Sequence, residues 1–177
     1  KVDVEAPALK PHPWPDLSSR LPFTSQHFAT PRGPSSTIVA SEKTLTLYGS
    51  ESLESCFPKS LLARRLTHHN LTATTKVSFN PSSFQQMAGI TAYYNNRLFH
   101  HLYLSHDETI GNCLHIHTCD DGVSKFPLGT SPVPVDCKQI FLRIVFKESA
   151  LQFFWSTDGE RFSFIGPPLD ASILSDD

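Results

Sequence analysis

Histidine is the residue type of this sequence with the most evident capacity for chemistry, because nine are present in 177 residues. His115 and His117 are two positions apart, so in a β-strand both side chains point to one face, as two ligands of a metal would. A third ligand, such as His106 or Asp107, would have to converge on the same point. Nothing in the sequence requires that convergence. We therefore predict surface or half-buried strand histidines and no metal site.

Carboxylates are the second candidates, because a pair of them flanking a sugar bond is the signature of a glycosidase. Most acidic residues here fall in predicted turns, where Asp is favoured for its local hydrogen bonds whatever its function. Asp158, in the Asp-Gly turn of a predicted hairpin, is an example. Phosphate-loop, nucleophile-elbow, HExxH and dinucleotide motifs are all missing from the sequence. The residues therefore predict no catalytic group and no cofactor.

The four cysteines are too few for a disulfide scaffold and lack a zinc-binding spacing. If 112–119 is one extended strand, the Cα atoms of Cys113 and Cys119 lie about 20 Å apart at ~3.3 Å per residue. A disulfide needs less than about 7 Å, so we expect both thiols to be free. A Cys119–Cys137 bond remains open.

Asn70-Leu71-Thr72 is a single N-glycosylation sequon, which is significant only if the protein is secreted. Alternation along 71–79 assigns Asn70 to the solvent-facing side of a strand, where a glycan would be sterically acceptable. The sequence leaves both a secreted and a cytoplasmic location open.

The elements that must position these residues are strands. From residue 43 onward apolar side chains recur with period two, and no stretch of ten or more residues has a convincing helical period. The clearest case is 138–146, where Ile140, Leu142, Ile144 and Phe146 alternate with other residues. Asn80-Pro81, Asp121-Gly122 and Asp158-Gly159 mark turns. Many strands with short polar turns predict an all-β, antiparallel two-sheet β-sandwich.

The N-terminal region differs in composition, because seven of the 14 prolines lie within residues 1–34. Residues 1–22 are predicted to form an extended, Pro-rich leader and residues 23–177 the sandwich domain. The net charge of 15 − 17 = −2 argues against a nucleic-acid partner. No apolar run is long enough to cross a bilayer, so no membrane partner is predicted.

Several stretches resemble a known family. The run SFQQMAGITAYYNNRLFHHLYLSHDE (83–108) resembles the C-terminal β-sandwich domain of family 43 glycoside hydrolases of the β-xylosidase type. Supporting stretches, in the family's order, are VEAPALKPHPWP (4–15), YGSESLESCFPKSLLARRLTHH (48–69), LHIHTCDDG (114–122) and LQFFWSTDGERFSFIGPPLDASILSDD (151–177). The FQQMAG and DASILSD stretches are the specific ones, whereas an Asp-Gly hairpin is common.

The resemblance implies a concanavalin A-like jelly roll that follows a catalytic five-bladed β-propeller. Such enzymes remove xylose from xylo-oligosaccharide ends, and some release arabinofuranose. Their catalytic carboxylates lie in the propeller and match no residue here, so this chain alone is expected to be inactive. The resemblance also implies that the leader comes from the propeller and that closing strands follow the SDD end. An edge left unpaired there would favour association, including a homo-oligomer.

The resemblance also suggests an inter-domain or pocket-rim surface made by Phe84, Gln85, Gln86 and Met87, with Trp14 packed at the interface. Edge-strand packing would explain the same FQQM stretch equally well. Two other functions stay open. One is a free-standing carbohydrate-binding module or lectin, for which runs such as Phe153-Phe154-Trp155 would supply a sugar platform. The other is a metal-dependent enzyme built on His115 and His117.

Overall fold

The computed structural model describes residues 2–5, 27–28, 38–40, 44–64, 66 and 68–175. Nearly all regular structure in these residues is β-strand, and a single 3-10 turn spans Ser172–Leu174. The strands are β1 (Val2–Glu5), β2 (His27–Phe28), β3 (Ile38–Ala40), β4 (Thr44–Leu47), β5 (Ala63–Arg64), β6 (Asn70–Ser78), β7 (Ala88–Asn95), β8 (Leu98–Asp107), β9 (Gly111–Asp120), β10 (Val123–Lys125), β11 (Val133–Pro134), β12 (Gln139–Lys147), β13 (Ala150–Ser156) and β14 (Ser163–Asp170).

Two antiparallel sheets form the body of the domain. The larger sheet has the order β14-β13-β12-β6-β1-β4-β3. The smaller sheet has the order β10-β9-β8-β7, and β11 pairs with β9 as well. Strands β2 and β5 form a separate pair. The two-sheet sandwich predicted from the sequence is confirmed.

The hydrophobic core lies between the two sheets, because apolar side chains from both contribute to it. In β12 the predicted alternation is confirmed: every second side chain is buried, from Ile140 to Phe146. The core residues that are fully buried are Val77, Leu102, Leu104, Leu114, Ile116, Ile140, Leu142, Leu151 and Phe153. Burying a side chain of this size contributes about 1.5–3 kcal/mol, so this layer is the main source of stability.

The predicted turns are present, and their residues explain their geometry. Asp121 and Gly122 both have positive φ, at 48° and 80°, which gives the tight turn that joins β9 to β10. In the hairpin of β13 and β14, Asp158 Oδ1 accepts hydrogen bonds from the backbone N–H groups of Glu160 and Arg161. These bonds extend the turn, and β14 begins at Ser163.

A bulge in β14 brings Gly166 of that strand close to a core side chain of the opposite sheet. The register shifts between Leu151 and Phe153, and Gln152 Nε2 donates to the carbonyl oxygens of Ile165 and Gly166 at 3.1 Å each. Gly166 has a φ of 69°, and a Cβ there would lie 2.5 Å from Ile116 Cδ1. Glycine is therefore required for both its conformation and its size.

The Pro-rich leader is described only in part. Val2–Glu5, which the sequence assigned to it, forms a strand between β4 and β6 of the larger sheet. Trp14 lies outside the described residues.

All four cysteines are free. No helix among the described residues is long and apolar enough to cross a membrane.

Candidate functional site

The loop of residues 79–87, between β6 and β7, carries most of the predicted inter-domain residues and is held by its own hydrogen bonds. Gln86 Oε1 accepts from the backbone N–H of Ser82 at 2.7 Å, and Gln86 N–H donates to the carbonyl of Ser83 at 3.1 Å. Ser105 Oγ of β8 donates to the carbonyl of Phe84 at 3.1 Å. The loop is therefore fixed both internally and against the smaller sheet.

Apolar side chains project into solvent from this end of the sandwich. Phe84 is 60% exposed and Met87 is 46% exposed. Ile110, in the turn between β8 and β9, is 44% exposed. The Asp107 carboxylate accepts from the N–H groups of Thr109 and Ile110, which fixes this turn and lowers the pKa of Asp107. We call Phe84, Met87 and Ile110 the apolar end.

A polar groove lies beside the apolar end and links the loop to the β8–β9 turn. His106 Nδ1 is 3.1 Å from Asn112 Oδ1, and Asn112 Nδ2 donates to Asn80 Oδ1 at 3.5 Å. The groove is lined by Asn80, Pro81, Ser82, His106, Ile110, Gly111, Asn112, Pro134, Val135 and Asp136. Apolar and hydrogen-bonding groups thus occur together here, as they do in the surfaces that domains use to contact one another.

Two residues of the FQQMAG stretch have a structural role. Ala88 is buried in the core, and Gly89 lies against β8 so closely that a Cβ would be 1.9 Å from the carbonyl oxygen of Leu102. Packing therefore explains the Ala-Gly half of the stretch. It does not explain Phe84 and Met87, whose side chains face outward.

The predicted inter-domain residues are thus partly brought together. Phe84, Gln85 and Met87 are exposed on one loop, as an interface would require. Gln86 is exposed too, but its amide oxygen is used within the loop. Trp14 is outside the described residues, so its position relative to the loop stays a prediction.

Comparison with known proteins identifies the domain. The family model described as "Beta xylosidase C-terminal Concanavalin A-like domain" matches residues 18–177. The chain belongs to that family. A β-xylosidase from Bacillus subtilis (strain 168) is 33% identical over 159 residues, which cover 89% of this chain and 28% of the relative. Xylosidase/arabinosidase 43B from Humicola insolens is 37% identical over 140 residues, covering 75% of this chain and 26% of the relative.

The crystal structure of a xylan β-1,4-xylosidase from Bacillus halodurans C-125 has the same fold. It matches this concanavalin A-like domain with a TM-score of 0.72 and 32% identity, over 75% of this chain and 26% of that one. The chain thus spans about a third or less of the length of the relatives it matches. It corresponds to their accessory C-terminal domain.

Three histidines of this concanavalin A-like domain, His101, His115 and His117, lie on the face of the smaller sheet that points away from the core. His115 and His117 share that face, as predicted, and the Phe126 ring packs on both, 4.7 Å from the ring of His117 and 5.7 Å from that of His115. His117 Nε2 lies 3.0 Å from Ser124 Oγ and 3.4 Å from Glu54 Oε1. Among the described residues no group of three or more His, Cys, Asp or Glu could hold a metal ion.

His101 is the most deeply buried histidine of this face. It pairs across the strands with His117, and its ring lies 5.0 Å from the ring of Tyr103. Burial, with a smaller contribution from His117, lowers the pKa of His101 to about 3. Burial also lowers the pKa of His117, although the Glu54 carboxylate opposes that shift. Both imidazoles are therefore neutral at pH 7, which suits packing among aromatic rings.

Sequence reasoning missed the loop of residues 48–62, which covers part of this face. Lys59 is only 5% exposed, and its Nζ donates to the carbonyls of Leu53 and Ser55 and to the Tyr93 hydroxyl at 3.0 Å. Ser124 Oγ donates to the Glu54 carboxylate. These contacts join residues 34 and 70 positions apart. No local pattern could have revealed them.

Two exposed carboxylates, Asp158 and Asp170, stabilise turns. Asp158 Oδ1 accepts from the Arg161 N–H and the Ser156 hydroxyl, and these bonds hold the pKa of Asp158 at about 2. Asp170 Oδ1 likewise accepts from the hydroxyl and N–H of Ser172, which lowers its pKa. Carboxylates with such low pKa values are poor proton donors at neutral pH, unlike a glycosidase acid, whose pKa is raised.

Proposed function

We propose that this domain is the accessory portion of a family 43 β-xylosidase that acts on xylan or xylo-oligosaccharides. Its catalytic partner would be a β-propeller, which binds the sugar and supplies the catalytic carboxylates. In this proposal the chain itself is inactive. Its task is to support the propeller and to form part of the rim of the substrate pocket.

The observation that carries this proposal is the combination of family membership with limited coverage. The match extends over residues 18–177, yet the same chain covers only 26–28% of the relatives in Bacillus subtilis and Humicola insolens. Those relatives are a β-xylosidase and a xylosidase/arabinosidase by name. Release of arabinofuranose is therefore a second activity that the proposed enzyme could have.

The apolar end is the surface that we propose for the propeller. Phe84, Met87 and Ile110 are exposed apolar residues on loops that hydrogen bonds hold in place. An interface built on such preorganised loops loses little backbone conformational entropy on binding. Residues 1–22 would form the connection from the propeller, with Trp14 at the interface. The first residues of this connection, Val2–Glu5, already belong to the larger sheet as β1.

The chemistry would take place in the propeller. An inverting glycosidase places two carboxyl groups roughly 6.5–9.5 Å apart, with a water molecule between them and the sugar. The domain described here would contribute by restricting the pocket to a chain end. It would do so without touching the bond that breaks.

Native mass spectrometry tests the proposal. The protein is purified from its source, its native and denatured masses are compared, and hydrolysis of an aryl xyloside is measured on the same sample. We expect this sequence within, or bound to, a larger polypeptide that hydrolyses the xyloside, and no hydrolysis by the separated 177-residue chain. A 177-residue chain that purifies alone, without any associated xylosidase, would contradict the proposal.

A carbohydrate-binding module is the second candidate, favoured by one feature of the larger sheet. Phe164 of β14 is 73% exposed and pairs across the strands with the half-buried Phe154. Exposed aromatic rings of this kind can stack on sugars. Titration of the chain with xylo-oligosaccharides separates the two candidates, because chemical-shift changes at Phe154 and Phe164 are expected only if the sheet binds sugar itself.

A further inference from the structure

We propose that Asn70 is the acceptor of an N-linked glycan, and that the first sugar lies over an adjacent groove of the larger sheet. The sequon Asn70-Leu71-Thr72 has the required hydroxyl residue and no proline. Asn70 is the first residue of β6, where it is exposed, and Thr72 is exposed on the same face. Both groups that the modifying enzyme must reach are therefore accessible in the folded domain.

The amide of Asn70 is oriented by the neighbouring turn. Its Oδ1 accepts a hydrogen bond from the backbone N–H of Glu148 at 3.2 Å, in the turn between β12 and β13. Among the described residues, the structure shows no acceptor for a hydrogen bond from Asn70 Nδ2. The nitrogen, which is the atom that becomes glycosylated, is thus left free while the oxygen is anchored.

A groove beside Asn70 offers a surface for the first sugar. It is lined by Asn70, Leu71, Thr72, Val145, Phe146, Lys147 and Glu148. Val145 pairs with Thr72 across the strands and is half-buried, so it presents part of its apolar surface on the face that carries Asn70, whereas Leu71 packs against the core. The ring C–H groups of an N-acetylglucosamine could cover Val145, and its hydroxyl groups could remain in water.

The position is also compatible with the proposed interface, although the inference does not depend on it. β6 runs from Asn70 to Ser78, and the loop with Phe84 follows its far end. Eight steps of ~3.3 Å place the two ends of the strand about 26 Å apart. A glycan on Asn70 would therefore not obstruct the apolar end.

The modification is a group transfer from a lipid-linked oligosaccharide diphosphate in a secretory pathway. Asn70 Nδ2 forms a bond to C1 of the first sugar, and the bond between C1 and the diphosphate oxygen breaks. The lipid diphosphate leaves with the bonding electron pair, and Nδ2 loses one proton.

Secretion of the 177-residue chain from yeast tests the acceptor. Four forms are compared by peptide mass spectrometry: the natural chain, Asn70→Asp, Thr72→Ala and Thr72→Ser. Asn70→Asp keeps the oxygen that accepts from Glu148, and Thr72→Ser keeps the sequon hydroxyl, so both are matched controls. We expect a glycan at position 70 in the natural chain and in Thr72→Ser, and none in the other two. An unmodified Asn70 in the secreted natural chain would overturn the proposal.

Thermal unfolding tests the position of the first sugar. An endoglycosidase trims the glycan to one N-acetylglucosamine, and a peptide amidase that removes all of it leaves Asp at position 70. If the sugar covers the groove, the trimmed form should melt about 2–4 °C above both the deglycosylated form and Asn70→Asp, a shift typical of a small added contact in a domain of this size. Equal melting temperatures would show that the sugar does not pack there.

Discussion

Removing the Phe84 ring is the most direct perturbation of the proposed inter-domain surface. A Phe side chain buries about 150–250 Å² when it is fully covered. Because Phe84 is 60% exposed in the isolated domain, a partner could cover roughly 120 Å² more of it. At about 25 cal/mol per Å², that area corresponds to about 3 kcal/mol as an upper value. Imperfect packing reduces it, so we expect Phe84→Ala to cost about 2–3 kcal/mol of inter-domain affinity, or roughly 30- to 150-fold in Kd.

The assay uses the proposed catalytic propeller and this sandwich domain as two separate proteins. Calorimetric titration gives the Kd between them, and hydrolysis of an aryl xyloside gives kcat/KM of the reconstituted complex. Phe57→Ala is the matched control, because Phe57 is 69% exposed in the different loop of residues 48–62. We expect Phe57→Ala to leave the Kd within about 2-fold of the unchanged protein, in line with surface substitutions away from an interface.

Two further measurements decide whether the reasoning holds. The free energy of unfolding of the isolated sandwich should change little in Phe84→Ala, because the ring makes few contacts within the domain when it is this exposed. If Phe84→Ala and Phe57→Ala have equal Kd values, the loop of residues 79–87 is not the interface. If Phe84→Ala instead lowers the stability of the isolated domain by more than about 2 kcal/mol, the ring has a packing role that its exposure does not indicate.

Three predictions concern stability. Gly89→Ala should lower the free energy of unfolding by more than about 3 kcal/mol or prevent folding, because the new Cβ would overlap the β8 backbone. Gly49→Ala is the control and should be tolerated, because the space around Gly49 is open. Equal denaturation midpoints for the two variants would be inconsistent with this packing. Gly166→Ala should lower the free energy of unfolding in urea clearly more than Gly129→Ala does. Both glycines have positive φ, which costs an alanine about 1–2 kcal/mol, but of the two only Gly166 lies against a core side chain. Equal losses of stability would show that the core accommodates the methyl group. His101 has a pKa of about 3 in the folded protein and near 6.5 when unfolded, so the unfolded chain binds a proton first as the pH falls. Between about pH 6.5 and pH 3 this residue therefore lowers the free energy of unfolding, by on the order of several kcal/mol in total. A pH profile of stability that His101→Leu leaves unchanged would contradict this prediction.

The sequence by itself determined the fold class and the strands whose pattern is local. Ile140, Leu142 and Ile144 predict the buried face of β12, because successive side chains of a strand point to opposite sides wherever that strand lies. The Asp121-Gly122 turn is equally local, since positive φ at both positions is a property of those two residues. The family resemblance of the FQQMAG stretch was also readable from the sequence. The match over residues 18–177 confirms it.

Only the tertiary structure decided what covers the outer face of the smaller sheet, which points away from the core. β8 is buried on both faces, so alternation predicts Leu102 and Leu104 but gives no reason for the burial of Phe99 and Tyr103. The roles within FQQMAG also separate only in three dimensions, where Gly89 packs against the β8 backbone and the Phe84 side chain is exposed. The physical reason is the same in each case. Alternation along a strand is fixed by its own backbone, whereas burial of a given face depends on segments tens of residues away.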